Sequence, residues 1–549
     1  VSQDIPPILA ANLRSIQRRD PALYDRICLP VDGSHVRMAE DGALHYRVHR
    51  TWQPIAQPAA SLEDAPTDER EVLLFGIGGG EQLMHLLDSS DIRIVAWDRD
   101  PWMVRMLLGT RDLTGALNTG RLWLRMGSDL LDEVEHAPDR PVIEHPFFAD
   151  LYRNEHHLLV DGLGDRRALV CDGTLFVDDV SDALREAGFT VGTWEPKRLA
   201  PEELARAADA WEPEVAFSIN HVHGLPEACG ARALPLAVWE IDPSTDVLRP
   251  AAGDVSGTRV FTWRGSLIPD WKAAGFANVE PLPLAANPAR RFPVELSGDD
   301  VEAYRSPVAF VGASMVDQGQ RFRQDLLGYY ALWRGGSPLD AQKEGQQRLE
   351  GALGAIRDDF AVDRTADAVQ THLGDFADAQ RALGRDMVPL VAEMAGADKR
   401  LTYIAQTGQV EGTVWGDPGW RFVEQFGVRY KGPAGHRKEL NKVYSGATVN
   451  LDVGRIYQSD IVTMRVFDVM ACGGFVLAEH CPALEQLFDA GVHLDWYRDL
   501  PEMLDRLAWW LERPDEAAAV GRRAAEVIRA DHTIGGRVAH MLGAMGIEA

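Results

Sequence analysis

The stretch from Val72 to Asp98 constrains the fold most. Val72-Leu73-Leu74-Phe75 reads as a buried strand and runs straight into Gly76-Ile77-Gly78-Gly79-Gly80. A helix over Gln82 to Leu87 follows, and a second apolar run, Ile92 to Trp97, ends in Asp98. Glycine is needed at such a turn because the backbone must bend sharply and let a ligand or a helix come close. Asp98 stands 22 residues beyond Gly76, where an acid meets a ribose hydroxyl in dinucleotide-binding units. Position 81 is Glu, so the full G-x-G-x-x-G pattern is absent. Gly76, Gly78 and Asp98 are therefore candidate ligand residues, against the alternative of a purely structural unit that binds nothing.

The rest of the chain repeats that rhythm. At 549 residues it is too long for one core, and roughly 150 residues per domain predicts three to four domains. Residues 71–128 form a Rossmann-type unit, preceded by a helix (Ile8 to Arg19), a β-like alternation (Ala43 to Val48) and a loop (Gln53 to Thr67). From 155 a second α/β run begins. Its expected strands are Leu158–Asp161, Ala168–Asp172, Phe189–Val191, Val215–Ile219, Leu236–Ile241 and Val260–Trp263. Helices are expected up to Ala187 and over Pro201–Ala210. Alternating strands and helices predict parallel sheets, whose ligands bind beyond the carboxyl ends of the strands. Asn220 to Gly224 and Asp242-Pro243-Ser244 fall there.

A Pro-rich crossing from Asn278 to about Pro293 marks a boundary, and a new strand, Val308–Val311, ends in Gly312. Residues 317–400 read as an inserted bundle of three or four helices. The α/β pattern resumes with a strand at Leu401–Ile404 and closes with helices at Pro501–Leu511 and Pro514–Arg529. The expected domains are 1–150, 151–295 and 296–549.

Within the last domain, Ile461 to Leu487 opens as a helix with Val462, Val466, Val469 and Met470 on one face. Gly473-Gly474 stops it with a left-handed cap, and Phe475-Val476-Leu477 is a strand. Asp460 and Asp468 bracket the first half and can share a face if the helix starts early. Each has a structural alternative: Asp460 as an N-cap, Asp468 as a partner of Arg465.

Charge narrows the partners. With 56 basic and 83 acidic residues the net charge is −27, which argues against nucleic acid or an anionic membrane as the main partner. Five scattered cysteines suggest neither zinc nor disulfides, no apolar run is long enough to cross a membrane, and the start of the chain lacks a signal pattern. A cytoplasmic protein is the expectation.

Several blocks resemble CgeB-type (spore-maturation) glycosyltransferases, in the same order, over about 155 to 549. They are Phe217–Asn220, Val238–Pro243, Pro283–Ala285, Val308–Gly312, Val414–Asp417, Glu439–Ser445, Val449–Leu451, Arg465–Asp468 with Ala471–Phe475, and Asp531–Thr533 with Arg537. The glycine-rich unit resembles class I methyltransferases and the motility-associated-factor group of flagellin glycosyltransferases. The resemblance implies an α/β GT-B fold, two facing Rossmann-like domains, here with an extra N-terminal Rossmann-like domain and the helical insertion. It implies a UDP-, GDP- or dTDP-linked sugar donor on the C-terminal domain, with Asp468 on the ribose, Asp460 near the sugar, and Gly312, Tyr444, Gly473 and Gly474 on the donor side. Both acids stand where relatives carry Glu, one methylene longer.

GT-B transfer generally uses no metal; basic side chains and helix N-termini hold the diphosphate. His436, Arg437 and Lys438, opening a helix after Gly432–Gly435, are the first candidates, and Arg321 and Arg323 the second. On the acceptor side His221, His223 or Asp242 are candidates for the base. The expected reaction moves a sugar onto a protein, such as flagellin, or a glycan. The rivals are an S-adenosylmethionine-dependent methyltransferase at 71–128 and a non-catalytic docking protein.

Overall fold

The computed structural model describes residues 6–40, 42–48, 51–55, 70–173, 175–242, 248–435 and 438–549. Arg437 and His436, Pro243-Ser244 and most of the loop expected up to Thr67 lie outside the described residues. The chain forms two compact units. The first comprises 1–262, 267–280 and 538–549, and the second 263–266 and 281–537.

The first unit carries three sheets. Val36–Met38, Leu44–Val48 and Thr51–Pro54 make a small antiparallel one. The glycine-rich unit is a parallel four-stranded sheet in the order Leu122–Met126, Arg93–Asp98, Glu71–Phe75, Val142–Glu144. The third sheet has six strands, ordered Asn278–Pro281, Thr258–Thr262, Leu236–Glu240, Val215–Ile219, Arg167–Cys171, Thr190–Trp194, and every pair from Thr258 onward in that order is parallel.

One hydrophobic cluster runs through both larger sheets. Phe75, Trp97, Phe148 and Tyr152 of the first join Leu169, Trp194, Trp211 and Leu236 of the second. Largely enclosed Arg99, just after its strand, adds a polar tie by pairing with Glu155 at 3.1 Å and Glu195 at 3.5 Å. Leu158–Asp161, expected as a strand, lies in the helix Arg153–Asp161. A three-residue apolar run fits either period, and the burial of Asn154, Glu155 and Leu158 is helical, leaving Val160 66% exposed.

The second unit is built on a wholly parallel six-stranded sheet. Its order is Arg429–Tyr430, Thr413–Trp415, Ser306–Val311, Ala447–Leu451, Val476–Glu479, Asp495–Tyr497. The α/β class expected from the sequence holds, with two six-stranded Rossmann-like sheets, the pair that a GT-B chain contains. The inserted helices are Val316–Arg334, Pro338–Arg357, Thr365–Ala382 and Val388–Gln406, packed around Leu326, Tyr330, Leu353, Phe376 and Val391. Leu401–Ile404, expected as a strand, continues the last of them. Lys399, Arg400, Tyr403 and Ile404 are buried toward its end, a helical spacing that outweighs the local β-prone composition.

The helix of the sequence's central motif spans Met464–Ala471, with Thr463 as its N-cap residue. Gly473 takes φ 69° and supplies the expected left-handed stop, its N–H donating to the Met470 carbonyl at 3.0 Å. The glycine pair serves the chain's own packing: a Cβ on Gly521, in the helix Pro514–Asp531, would lie 2.3 Å from the Gly473 carbonyl oxygen. Alanine is favoured over glycine in a helix by about 1 kcal/mol. Gly521→Ala is nevertheless expected to destabilise, by about 1–3 kcal/mol, because rigid backbone blocks the methyl. A urea titration showing a stabilised variant would refute this.

Candidate functional site

In the second unit the chain leaves the central strand Ser306–Val311 toward Thr413–Trp415 on one side and reaches Ala447–Leu451 on the other. That reversal makes the carboxyl ends of Ser306–Val311 and Ala447–Leu451 the place where an open parallel sheet binds ligands. Two loops border it, 312–315 and 452–463.

The first loop is held tightly. Asp417 accepts from the Ser314 amide at 2.6 Å and from its hydroxyl at 2.5 Å. Met315 takes φ 66°, an uncommon conformation for a side chain of that size, and the 19-residue helix Val316–Arg334 starts directly after it. Its N-terminus thus meets the crevice with a partial positive charge.

Charged side chains crowd the same strand ends. Arg465 donates through Nε to the Val311 carbonyl at 2.6 Å and pairs with buried Asp452, which also accepts from Thr463 Oγ1 at 2.8 Å. Arg455 pairs with Glu393 at 3.1 Å, and Tyr457 donates to the same carboxylate at 2.5 Å. Lys399 pairs with Glu479 at 2.5 Å. Arg400, 6% exposed, donates to the Ala313 carbonyl at 2.8 Å, and its Nε has no hydrogen-bond partner among the described residues. Burial, with Arg465 and Arg455 nearby, brings its pKa down to about 9. None of these arginines was singled out from the sequence as a ligand residue; Arg465 was read only as a partner for Asp468.

The expected donor residues fare differently. Asp468 is 6% exposed and pairs through Oδ2 with Arg291 Nε at 3.1 Å, not with Arg465. Asp460 lies before the helix rather than on its face and is not its N-cap. It accepts from Arg264 at 3.3 Å and from the Ser266 hydroxyl. Gly473 and Gly474 approach the protein itself, since a Cβ on Gly474 would sit 2.5 Å from the Tyr444 carbonyl oxygen. Tyr444 is buried, and desolvation raises its phenol pKa. Gly312 lies under Arg465, whose Nη2 would be 2.6 Å from an added Cβ. Lys438 is exposed at the start of the helix Lys438–Gly446. Arg321 is exposed, and Arg323 is engaged by Glu350 at 2.5 Å.

Two distant blocks of the resemblance come together in the crossing segment. Arg537 donates to the Pro283 carbonyl at 3.0 Å and contacts His532 Nδ1 at 2.9 Å. Burial and that guanidinium lower the His532 pKa to about 4, so it accepts as a neutral ring. Asn441 donates to the Arg290 carbonyl at 2.9 Å, on the segment that presents Arg291 to Asp468.

In the first unit the glycine-rich turn does not follow the ligand expectation. Asp98 is fully buried and accepts from the Ile77 amide at 2.9 Å, the Asp100 amide at 3.0 Å and the Tyr152 hydroxyl at 2.7 Å. The carboxylate pins the turn to the strand end and is not presented to a ribose. Gly76 and Gly78 have φ 82° and 60°, and a Cβ on them would meet Phe148 at 2.5 Å and His145 at 2.7 Å. The space that glycine opens is used by the protein's own side chains.

His221 is a core residue, 4% exposed, with its ring edge-on to Trp271 at 5.3 Å and Phe276 at 6.1 Å. That placement speaks against it as a base. His223 is exposed on the turn after Val215–Ile219. The backbone amide of Asp242 donates to Asn220 Oδ1 at 3.0 Å, joining two neighbouring strand ends. Among the described residues no His, Cys, Asp and Glu cluster is arranged to hold a metal ion, and no helix is long and apolar enough to cross a membrane.

Residues 398–543 match the glycosyl transferase-like family. The matched stretch begins just before Arg400 and contains Asp452, Asp460, Arg465, Asp468 and the glycine pair. No curated protein matches the chain. Among solved structures, a sucrose-phosphate synthase from Thermosynechococcus elongatus is 12% identical over 69% of this chain and 97% of its own, with TM-score 0.39. The Anabaena protein HepE, solved with UDP-glucose, is 12% identical over 69% of this chain and 99% of its own, with TM-score 0.39. A MAf glycosyltransferase from Magnetospirillum magneticum covers 50% of this chain and 56% of its own at 12% identity, with TM-score 0.21. Likeness at these scores assigns no substrate and no residue role.

Proposed function

We propose that the chain is a nucleotide-sugar-dependent glycosyltransferase whose donor binds the second unit, at the carboxyl ends of Ser306–Val311 and Ala447–Leu451. The observation that carries this is the glycosyl transferase-like match over 398–543, which falls on the side of the sheet that supplies Asp452, Arg465 and Asp468. In this reading Asp468, oriented by Arg291, accepts hydroxyl hydrogen bonds from the donor ribose. The helix Val316–Arg334 and the basic side chains at the strand ends stabilise the leaving diphosphate, where negative charge develops in the transition state. His223 and Asp242 are the remaining candidates for orienting or deprotonating the acceptor hydroxyl. The acceptor is a protein or glycan, with a flagellin-like protein suggested by the first unit's resemblance, and the reaction is placed in the cytoplasm.

The test is hydrolysis and transfer with a panel of UDP-, GDP- and dTDP-sugars, with and without acceptor protein, alongside thermal shift. A nucleotide present at 100 times its dissociation constant should add about 2.7 kcal/mol of stability. Turnover of one donor class is the expected result. Absence of turnover and of any nucleotide-induced shift would overturn the proposal.

A further inference from the structure

We propose that Arg400, delivered by the last helix of the inserted bundle, is the receptor for the donor's diphosphate. The free protein holds that charge buried with no ion pair among the described residues, though the field of Asp452 favours it, at the expense of stability. This deepens the nucleotide-sugar reading and rests on it.

The local charges set Arg400 apart. Arg465 is matched by Asp452 and Arg455 by Glu393, while Lys399, its neighbour in sequence, is matched by Glu479. Arg400 forms no ion pair among the described residues. Among the described residues it donates to a neutral carbonyl, at Ala313, and its Nε is left without a partner. Buried ions are ordinarily paired, because desolvation of an isolated charge is expensive. A lysine in such a place can shed its proton, but a guanidinium keeps its charge across the physiological range. Even at a pKa of about 9, Arg400 is a cation at neutral pH.

Its surroundings suit a phosphate. Arg400 and Arg465 lie toward the ring of Phe310 at 6.0 and 4.4 Å, which puts two planar donors beside the same strand end. The helix Val316–Arg334 starts next to Ala313 with Met315 at positive φ, adding its N-terminal amides. The inserted helix comes near at Gly396. A Cβ there would already stand 3.4 Å from Met315 and 3.9 Å from Arg455, so the helix lies against both crevice loops one turn before Arg400. Guanidinium binds phosphate oxygens through paired N–H groups, which gives orientation as well as charge. The other basic candidates offer less: Lys438 and Arg321 are exposed, and Arg323 is held by Glu350.

The test uses the full chain as wild type, Arg400→Lys and Arg400→Met. Melting temperatures are read without ligand, and affinities for uridine, UDP, GDP, dTDP and inorganic pyrophosphate by calorimetry. Arg400→Met should melt at or above the wild-type temperature. It should bind the preferred nucleoside diphosphate about tenfold or more weakly, the loss expected for charge-assisted hydrogen bonds, with nucleoside binding unchanged. Arg400→Lys should retain part of the diphosphate affinity. If the wild type binds a nucleoside diphosphate and Arg400→Met binds it as well, this proposal alone is overturned. A marked fall in melting temperature for Arg400→Met would also overturn it, by showing a structural role. Wild-type protein that binds no nucleoside diphosphate overturns the donor reading and this proposal with it.

Discussion

Asp98→Ala is expected to destabilise the first unit by at least about 3 kcal/mol, since each of three buried donors left without an acceptor costs about 1–3 kcal/mol. The donors are the Ile77 and Asp100 amides and the Tyr152 hydroxyl, all within 3.0 Å of the carboxylate. A ribose-binding acid would instead lose ligand affinity with little change in folding, so urea unfolding of the free protein separates the two roles. Wild-type stability should also depend on pH through this group. Burial raises the Asp98 pKa from 3.8 to about 7. A carboxyl whose pKa is higher in the folded state holds its proton more tightly there, so stability rises as pH falls from about 7 toward 4. Glu195, likewise raised by burial from 4.5 to about 7, adds a slope of the same sign. The Asp98→Ala variant should therefore keep a shallower slope. A variant as stable as wild type at pH 8, with an unchanged slope, would refute this account.

Asp468→Ala should cost about 3–5 kcal/mol, because it removes one partner of a largely buried ion pair. The side chains of Asp468 and Arg291 are 8% and 12% exposed, so water screens the pair little. Replacing both, as Asp468→Leu with Arg291→Met, should recover most of that loss, since well-packed apolar pairs substitute for buried ion pairs at small net cost. The double variant also separates folding from function. If Asp468 serves the donor ribose, the variant folds and has lost nucleotide affinity. If it folds and binds nucleotides as wild type does, Asp468 is structural and the ribose assignment falls. Equilibrium denaturation and calorimetry on the same three proteins decide it.

These two acids show where sequence reading succeeds and stops. Asp98 was visible as a candidate by its offset from a glycine turn and Asp468 by the resemblance to CgeB-type glycosyltransferases, and both glycine turns form. Gly473 ends its helix in the left-handed conformation and Gly76 bends the first sheet's opening turn. Each carboxylate also has a distant partner, Arg291 177 positions from Asp468 and Tyr152 54 from Asp98. No spacing rule reaches that far. Arg400 was missed for a related reason. It adjoins a β-prone run, Leu401 to Ile404, that reads locally as a new strand, and only the fold carries the inserted helix through it and brings its guanidinium to the Ala313 carbonyl.

The sequence by itself determined the alternation of strands and helices, the parallel class of the large sheets, a helical insertion of three or four helices and the glycine stops. Those depend on periodicity and backbone freedom over a few residues, which are written locally. Only the tertiary structure decided that Asp98 faces inward, that His221 is core, that Asp468 answers to Arg291 and that Arg400 forms no ion pair among the described residues. A charge is free or spent according to what packing brings within about 4 Å of it, and that partner is chosen by the whole fold.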